Sequence, residues 1–244
     1  MAKKAKSGKS KRNHHSKKHA VVSMRDKIQA VYASVQMEST CCRQCVCCAV
    51  SCPQMNQCEA ATILDSIWTK WSLDDRKKFI VKCMRYFFSN SMVKPCPLLG
   101  RAADGKPGCR AYEDRPLNCR LYGQWSEEAY EKRVERFVAA TGIARENLPM
   151  NRQCCHVVNV SGKNPTPEEI DSLFGRMSDI DMVVYKYDKI MVDKKYNYRT
   201  IHDWALLKYL GEEKLSILSS IFVKFTPEQA EDYLVKFEEE IFKS

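Results

Sequence analysis

The sequence predicts a mainly α-helical protein. Irregular, cysteine-rich metal-binding loops are packed among its helices, and a disordered basic N-terminal tail precedes them. Three observations carry that expectation. Apolar residues recur at helical spacing in segment after segment, several of them opened by a capping signal and closed by Gly or Pro. Thirteen cysteines occur in 244 residues, most of them in short clusters. Residues 1–19 hold eight Lys/Arg and no Asp or Glu.

Residues 1–20 are Lys, Ser, Gly, Asn and His with almost nothing to bury, the composition of a disordered segment. Ser23 reads as an N-cap with Asp26 three residues on. Met24, Ile28, Val31, Tyr32 and Val35 then mark a helix ending near Met37. A cysteine block spans 41–58. A helix is expected over Glu59–Trp71, with Ile63, Leu64, Ile67, Trp68 and Trp71 on one face. Ser72 with Asp75 opens the next, running to about Phe88 and carrying Ile80, Cys83, Met84, Phe87 and Phe88. That spacing makes Cys83 a core residue.

Residues 89–125 hold most of the Pro and Gly and read as irregular. Ser126 caps a helix through Ala140 (Tyr130, Val134, Phe137, Val138), and Gly142 sits at its C′ position. Thr166-Pro167-Glu168-Glu169 opens a helix over 167–177 with Pro at N1. Further helices are expected over 200–210, 213–223 and 227–242, punctuated by Gly211 and Pro227. The stretch 181–196 reads as strand or helix. There is no βαβ alternation and no internal repeat. The organisation is a tail (1–20), a cysteine-cluster metal-binding domain (21–160) and a helical C-terminal region (161–244) packed on it.

The apolar fraction of 44% excludes wholesale disorder. No stretch approaches the roughly 20 apolar residues of a membrane span. Only Ala20–Val21–Val22 follows the basic N-terminus, too short for the apolar part of a secretory signal. The expected compartment is therefore the reducing cytoplasm, where clustered thiols serve as metal ligands more often than as disulfides. The net charge of +10 belongs to the tail, because the rest of the chain has 32 basic against 30 acidic residues. Such a tail binds an acidic partner or nucleic acid non-specifically, or simply solvates the chain. It lacks the interleaved aromatics that base stacking needs.

Cys42, Cys45, Cys48 and Cys52, followed by Pro53, fit C-x2-C-x2-C-x3-C-P, a spacing that ligates iron–sulfur clusters. Thiolates that close together in a turn can converge on the corners of one cubane. Cys41-x3-Cys45-x2-Cys48 also fits the radical enzymes that cleave S-adenosylmethionine. Those want a β/α barrel after the motif, and capped helices follow here. Adjacent cysteines cannot easily serve one cubane, so one of each pair Cys41/Cys42 and Cys47/Cys48 is a spectator. Cys58 is open between ligand and core.

The second block reads Cys96-Pro97-Leu98-Leu99, then Cys109-Arg110-Ala111-Tyr112-Glu113-Asp114-Arg115-Pro116-Leu117-Asn118-Cys119-Arg120-Leu121-Tyr122. It closely resembles the YkgJ-type cysteine-cluster family, a zinc- or iron-chelating domain. That family pairs an early C-x2-C-x2-C-C element with a later C-P-[FL]-L…C-x2-Y-x2-R-P-x2-C-R-x-Y element. The later element matches at Cys96, Pro97, Leu99, Cys109, Tyr112, Arg115, Pro116, Cys119, Arg120 and Tyr122. The early one departs, with one residue instead of two before Cys47–Cys48. The resemblance covers about residues 40–125 and implies a thiolate metal site.

Cys42, Cys45, Cys48, Cys52, Cys96, Cys109, Cys119 and one of Cys154/Cys155, with Cys155 preferred, make eight ligands. Eight thiolates serve two [4Fe–4S] clusters, or two zinc sites of four. Structural zinc favours C-x2-C pairs far apart, whereas Cys42/Cys45 and Cys45/Cys48 overlap, which favours iron–sulfur. His156 is a further candidate beside Cys155. Arg115 and Arg120 flank Cys119 and would stabilise an anionic cluster. The expected function is electron transfer with a redox protein partner, or an accessory metalloprotein role. The alternatives are a zinc-stapled interaction module and a cluster-dependent enzyme. No phosphate-binding, dinucleotide-binding, zinc-protease or serine-hydrolase motif is present.

Overall fold

A single helix, residues Gln57–Lys70, separates two hydrophobic cores. The computed structural model describes residues 24–35, 46–89, 94–101, 105, 107–148, 164–185 and 198–243. The expected tail and Cys41, Cys42, Cys45, Cys154, Cys155 and His156 lie outside the described residues. In chain order the elements are α1 (24–33), α2 (Val46–Val50), β1 (Gln54–Asn56), α3 (Gln57–Lys70), α4 (Leu73–Phe87), β2 (Leu99–Arg101) and β3 (Pro107–Cys109). There follow α5 (Leu117–Leu121), α6 (Glu127–Thr141), a 3-10 turn (Arg145–Asn147), α7 (Pro167–Tyr185), β4 (Tyr198–Thr200), α8 (Ile201–Leu210), α9 (Glu212–Phe222) and α10 (Pro227–Lys243). The fold is mainly α, as expected. Among the described residues no helix is long and apolar enough to cross a membrane.

Residues three and four apart share a helix face, and α3 uses two of them. Ala60, Ile63, Leu64 and Ile67 join the first core, with Phe79, Ile80, Cys83 and Met84 of α4 and Ile201, Trp204, Ala205 and Leu206 of α8. Leu215, Leu218, Leu234 and Ile241 of α9 and α10 close it. Cys58 joins the second core, with Ile28, Val31 and Tyr32 of α1, Leu117 and Leu121 of α5, Tyr130 and Val134 of α6, and Ile170 and Met177 of α7. Phe79 is 2% exposed, and burial of such a side chain contributes roughly 1.5–3 kcal/mol.

The capping signals perform as the chemistry requires. Ser72 accepts from the Asp75 amide at 3.1 Å, and Ser126 from the Ala129 amide at 3.1 Å. Gly142 ends α6 at φ 69°, a left-handed conformation that favours glycine, and its N–H reaches the Val138 carbonyl at 2.8 Å. Three stretches differ from expectation. Helix α3 starts at Gln57, because Asn56 is its cap and Glu59 completes the capping box. Helix α7 continues to Tyr185, because Ile180 and Asp181 extend its buried face past residue 177. Residues 89–125, expected to be irregular, contain the antiparallel β2–β3 pair and α5. The pair β1–β4, which joins 54–56 to 198–200, has no local signal in the sequence.

Candidate metal centre

Two cysteine blocks far apart in sequence meet at one cavity. Helix α2 presents Cys47 and Cys48, and Cys52 follows it. The Cys96 amide donates to the Cys48 carbonyl at 2.7 Å, which fastens the second block to the first. Cys109 ends β3 opposite Leu99, and the Leu99 amide donates to the Cys96 carbonyl at 3.0 Å. Cys119 lies in the first turn of α5, its amide bonded to the Pro116 carbonyl at 2.9 Å. All six side chains line a cavity of about 1170 Å³.

The thiols perturb one another. The Cys47 and Cys48 sulfurs are 3.9 Å apart. Their hydrogen bond pushes Cys48 up and draws Cys47 down; burial also raises Cys48. Cys96 is pushed well up, first by its hydrogen bond with Cys52 and then by burial. Burial also pushes Cys119 well up, as do the charges of Cys96 and Cys109, against an opposing pull from Arg115. Cys48, Cys96 and Cys119 are each raised in part by neighbouring thiols, so the three do not ionise together unaided. A bound cation reverses that logic and is the natural counter-charge for such a donor set. Among the described residues, no three Cys, His, Asp or Glu side chains are already closed into a coordination shell. The thiols are gathered on one cavity but stand apart.

The arginines divide into different tasks. Arg115 lies 3.6 Å over the Tyr112 ring, donates to the Tyr112 carbonyl at 3.2 Å, and faces Cys47 and Cys119 with its charge. Arg120 is buried, 4.0 Å over Tyr32, and donates to the carbonyls of Arg115 and Glu113. It shapes the 113–115 loop, and burial lowers its own pKa. Arg110 packs 3.8 Å over Trp71 and pairs with Asp75 at 3.0 Å.

Three buried polar residues hold the cysteine-bearing segments, and sequence reasoning assigned none of them this role. Glu59 is 1% exposed. It accepts from the Leu117 amide at 2.6 Å, the Asn56 amide at 3.1 Å and the Tyr32 hydroxyl at 2.9 Å. Burial raises its pKa against those three donors. Asp181 of α7 accepts from the Gln57 and Cys58 amides at 3.0 and 2.7 Å, at the positive end of α3. Burial raises its pKa too. His202 approaches the Pro95 carbonyl through Nε2 at 3.2 Å and Thr200 through Nδ1 at 3.1 Å. A carbonyl only accepts, so Nε2 carries the proton. Burial lowers the His202 pKa to about 4. The Asn56-x-x-Glu59 capping box was readable in sequence; the reach of Asp181 and His202 to distant backbone had no local signal.

Of the predicted ligands, Cys48, Cys52, Cys96, Cys109 and Cys119 are brought together, and Cys42, Cys45, Cys154 and Cys155 lie outside the described residues. Cys47, which forms with Cys48 a pair expected to hold one spectator, lines the cavity with them. Cys58 packs in the second core, its sulfur 3.6 Å from that of Met177. Cys83 is fully buried in the first core. No disulfide joins the cysteines of the described residues to one another. No protein-family model, no curated protein and no solved structure matches this chain.

Proposed function

We propose that this protein binds an iron–sulfur cluster through four of the thiolates of Cys47, Cys48, Cys52, Cys96, Cys109 and Cys119. We place it in electron transfer or as an accessory metalloprotein. The observation that carries the reading is the convergence of both cysteine blocks on one cavity, with thiols that raise one another's pKa. The resemblance of residues 96–122 to the YkgJ-type element supports it. So does Arg115, whose charge would stabilise an anionic cluster and its reduced form. When bound, such a group supplies one-electron redox chemistry. The protein's own contribution is to hold the sulfurs, shield them from water and set the local charge. Cys42, Cys45 and Cys155 are candidates to complete this set or a second one.

The test is iron, acid-labile sulfide and zinc analysis of the full chain purified without oxygen. Iron and sulfide in equal amounts, with broad visible absorbance, is the expected result. Stoichiometric zinc without sulfide would overturn the iron–sulfur reading and leave a thiolate zinc site in its place.

A further inference from the structure

We propose that the α6 wall of the cavity binds an aromatic oxyanion, a small molecule that carries a ring and a phosphate or carboxylate group. The residues concerned hold no metal, so the inference stands apart from the metal reading above. It is carried by room, by unspent positive charge and by an aromatic wall. The cavity measures about 1170 Å³, as roomy as sites that enclose a whole small-molecule ligand, about 300–1,000 Å³. Its cysteines come from 47–52, 96, 109 and 119, whereas α6 lines it without a cysteine.

The described lining carries six Lys/Arg side chains against two carboxylates, Glu113 and Asp114. Two of the six already have a task. Arg110 pairs with Asp75 at 3.0 Å, and Arg115 is stacked 3.6 Å over Tyr112. Near α6, Lys132 pairs with Glu128 and Arg145 with Glu131, and neither cation lines the cavity. Arg133 and Arg136 do line it, and among the described residues no carboxylate pairs with either. Arg133 is nonetheless held. It donates to Asn118 Oδ1 at 3.2 Å and lies 5.0 Å from the Trp125 ring and 5.9 Å from that of Phe174. Asn118 in turn donates to the Gln54 carbonyl at 2.8 Å. A guanidinium fixed through one donor keeps the others for an oxyanion, which it grips as a bidentate fork.

Tyr130, Arg133 and Phe137 follow at i, i+3 and i+7, so they share one face of α6. All three line the cavity, together with Tyr122 and Trp125. Phe137 is 46% exposed. A ring open to the cavity beside an unpaired arginine suits the apolar body and the charged end of one ligand. Arg133 reaches the residue just before Cys119, so the anionic end would lie near any metal that the sulfurs hold. A second pocket, of about 280 Å³ beside Lys78, Lys82 and Arg85, is less suited. There Asp74 neutralises Lys78, and Glu238 neutralises Arg85.

Equilibrium dialysis of the full chain, purified without oxygen, tests this with four probes. Adenosine monophosphate and indole-3-acetate each carry a ring and an oxyanion, the first a phosphate and the second a carboxylate. Adenosine has the ring alone, and inorganic phosphate the charge alone. The expected result is saturable binding of at least one of the first two, at least about tenfold tighter than adenosine or inorganic phosphate. Which of the two binds identifies the oxyanion. Arg133→Gln should weaken that binding by at least about tenfold, through loss of a charged hydrogen-bond donor. Lys132→Gln, one residue away, should leave it unchanged. If Arg133→Gln fails to fold, Arg136→Gln takes its place. The proposal is overturned if neither aromatic oxyanion binds at millimolar concentration. It is overturned equally if adenosine or inorganic phosphate binds as tightly as they do, or if both arginine variants bind like wild type. Metal is measured on the same sample. Probe binding by a chain without metal leaves this inference standing and defeats the metal reading, and a metal-loaded chain that ignores the probes does the converse.

Discussion

Removal of the Glu59 carboxylate should loosen the second core and the metal site together. The side chain is 1% exposed and accepts from three donors: the Leu117 amide, the Asn56 amide and the Tyr32 hydroxyl. Glu59→Ala leaves all three in the interior. Each buried donor without a partner costs about 1–3 kcal/mol. Some relaxation toward water is expected at the α5 end, so the total is about 3–6 kcal/mol. For a chain of this size that lowers Tm by on the order of 10–20 °C. Leu117 starts α5, two residues before Cys119, so metal content should fall with stability.

Glu59→Gln is the finer probe, because it keeps the shape and one acceptor but turns an amide N–H₂ toward a donor. Burial raises the folded-state pKa of Glu59 above its unfolded value. Its protonated form is therefore favoured in the fold. The stability that this contributes is full below the unfolded pKa of about 4.5 and is lost as pH rises through the folded value. The stability difference between wild type and Glu59→Gln should therefore be largest in acid and shrink as pH rises. Urea midpoints across pH 4 to 8, with metal analysis of each variant, measure both effects. A Glu59→Ala chain within about 2 °C of wild type and with full metal would refute the reasoning.

His202, with its pKa lowered to about 4 by burial, is neutral in the fold. Its contribution is present above the unfolded value of about 6.5 and is lost as pH falls from there toward 4, by at most about 3 kcal/mol. His202→Gln should flatten this part of the urea profile, and an unchanged slope refutes it. Arg115→Ala should shift the reduction potential of bound cluster downward, or weaken metal retention, with Tm little changed. Arg120→Ala should instead lower stability by about 2–4 kcal/mol, because its two carbonyl partners lose a buried charged donor; the reverse pattern defeats the division of roles. Cys119→Ser should lower metal content, whereas Cys83→Ser should keep it and cost about 1–3 kcal/mol for burying a hydroxyl. Metal analysis of the two variants side by side decides the point.

The helices were legible because their signals are local. Ser72, Ser126, Thr166 and Gly142 act within one turn of themselves, and the apolar rows of α4 and α6 need no knowledge of what covers them. The end of α7 was not legible, because only the burial of Ile180 in the second core and the reach of Asp181 to α3 extend it. The short elements within 89–125 were missed for a related reason. Three-residue strands and a five-residue helix carry no periodicity, and their neighbours decide them. The cysteines show the same contrast. Spacing selected Cys48, Cys52, Cys96, Cys109 and Cys119, all of which reach the cavity. It left Cys47 and Cys48 open against each other on the ground that adjacent thiols compete, yet successive residues of a short helix can both face a cavity of this width.

Each cysteine segment is tied to the scaffold by a bond that involves no thiol. Cys48 offers its carbonyl to the Cys96 amide. Pro95, just before Cys96, is held by His202 of α8. Cys109 sits on the β2–β3 pair, beside Arg110, which is anchored on Trp71 and Asp75 of the α3–α4 corner. Cys119 follows Leu117, held by Glu59 of α3. Three segments are thus fixed from α3, α4 and α8, and the fourth through its bond to Cys96; α3, which separates the cores, supplies Glu59, and Trp71 is its C-cap. The cysteine segments are carried by the packing of the two cores on either side of α3. In a small zinc module the metal itself drives folding; here apolar burial on both faces of α3 also carries the cysteine segments. Substitutions far from any cysteine, in the faces of α3, α4 and α8, should therefore govern the site as strongly as the ligands do.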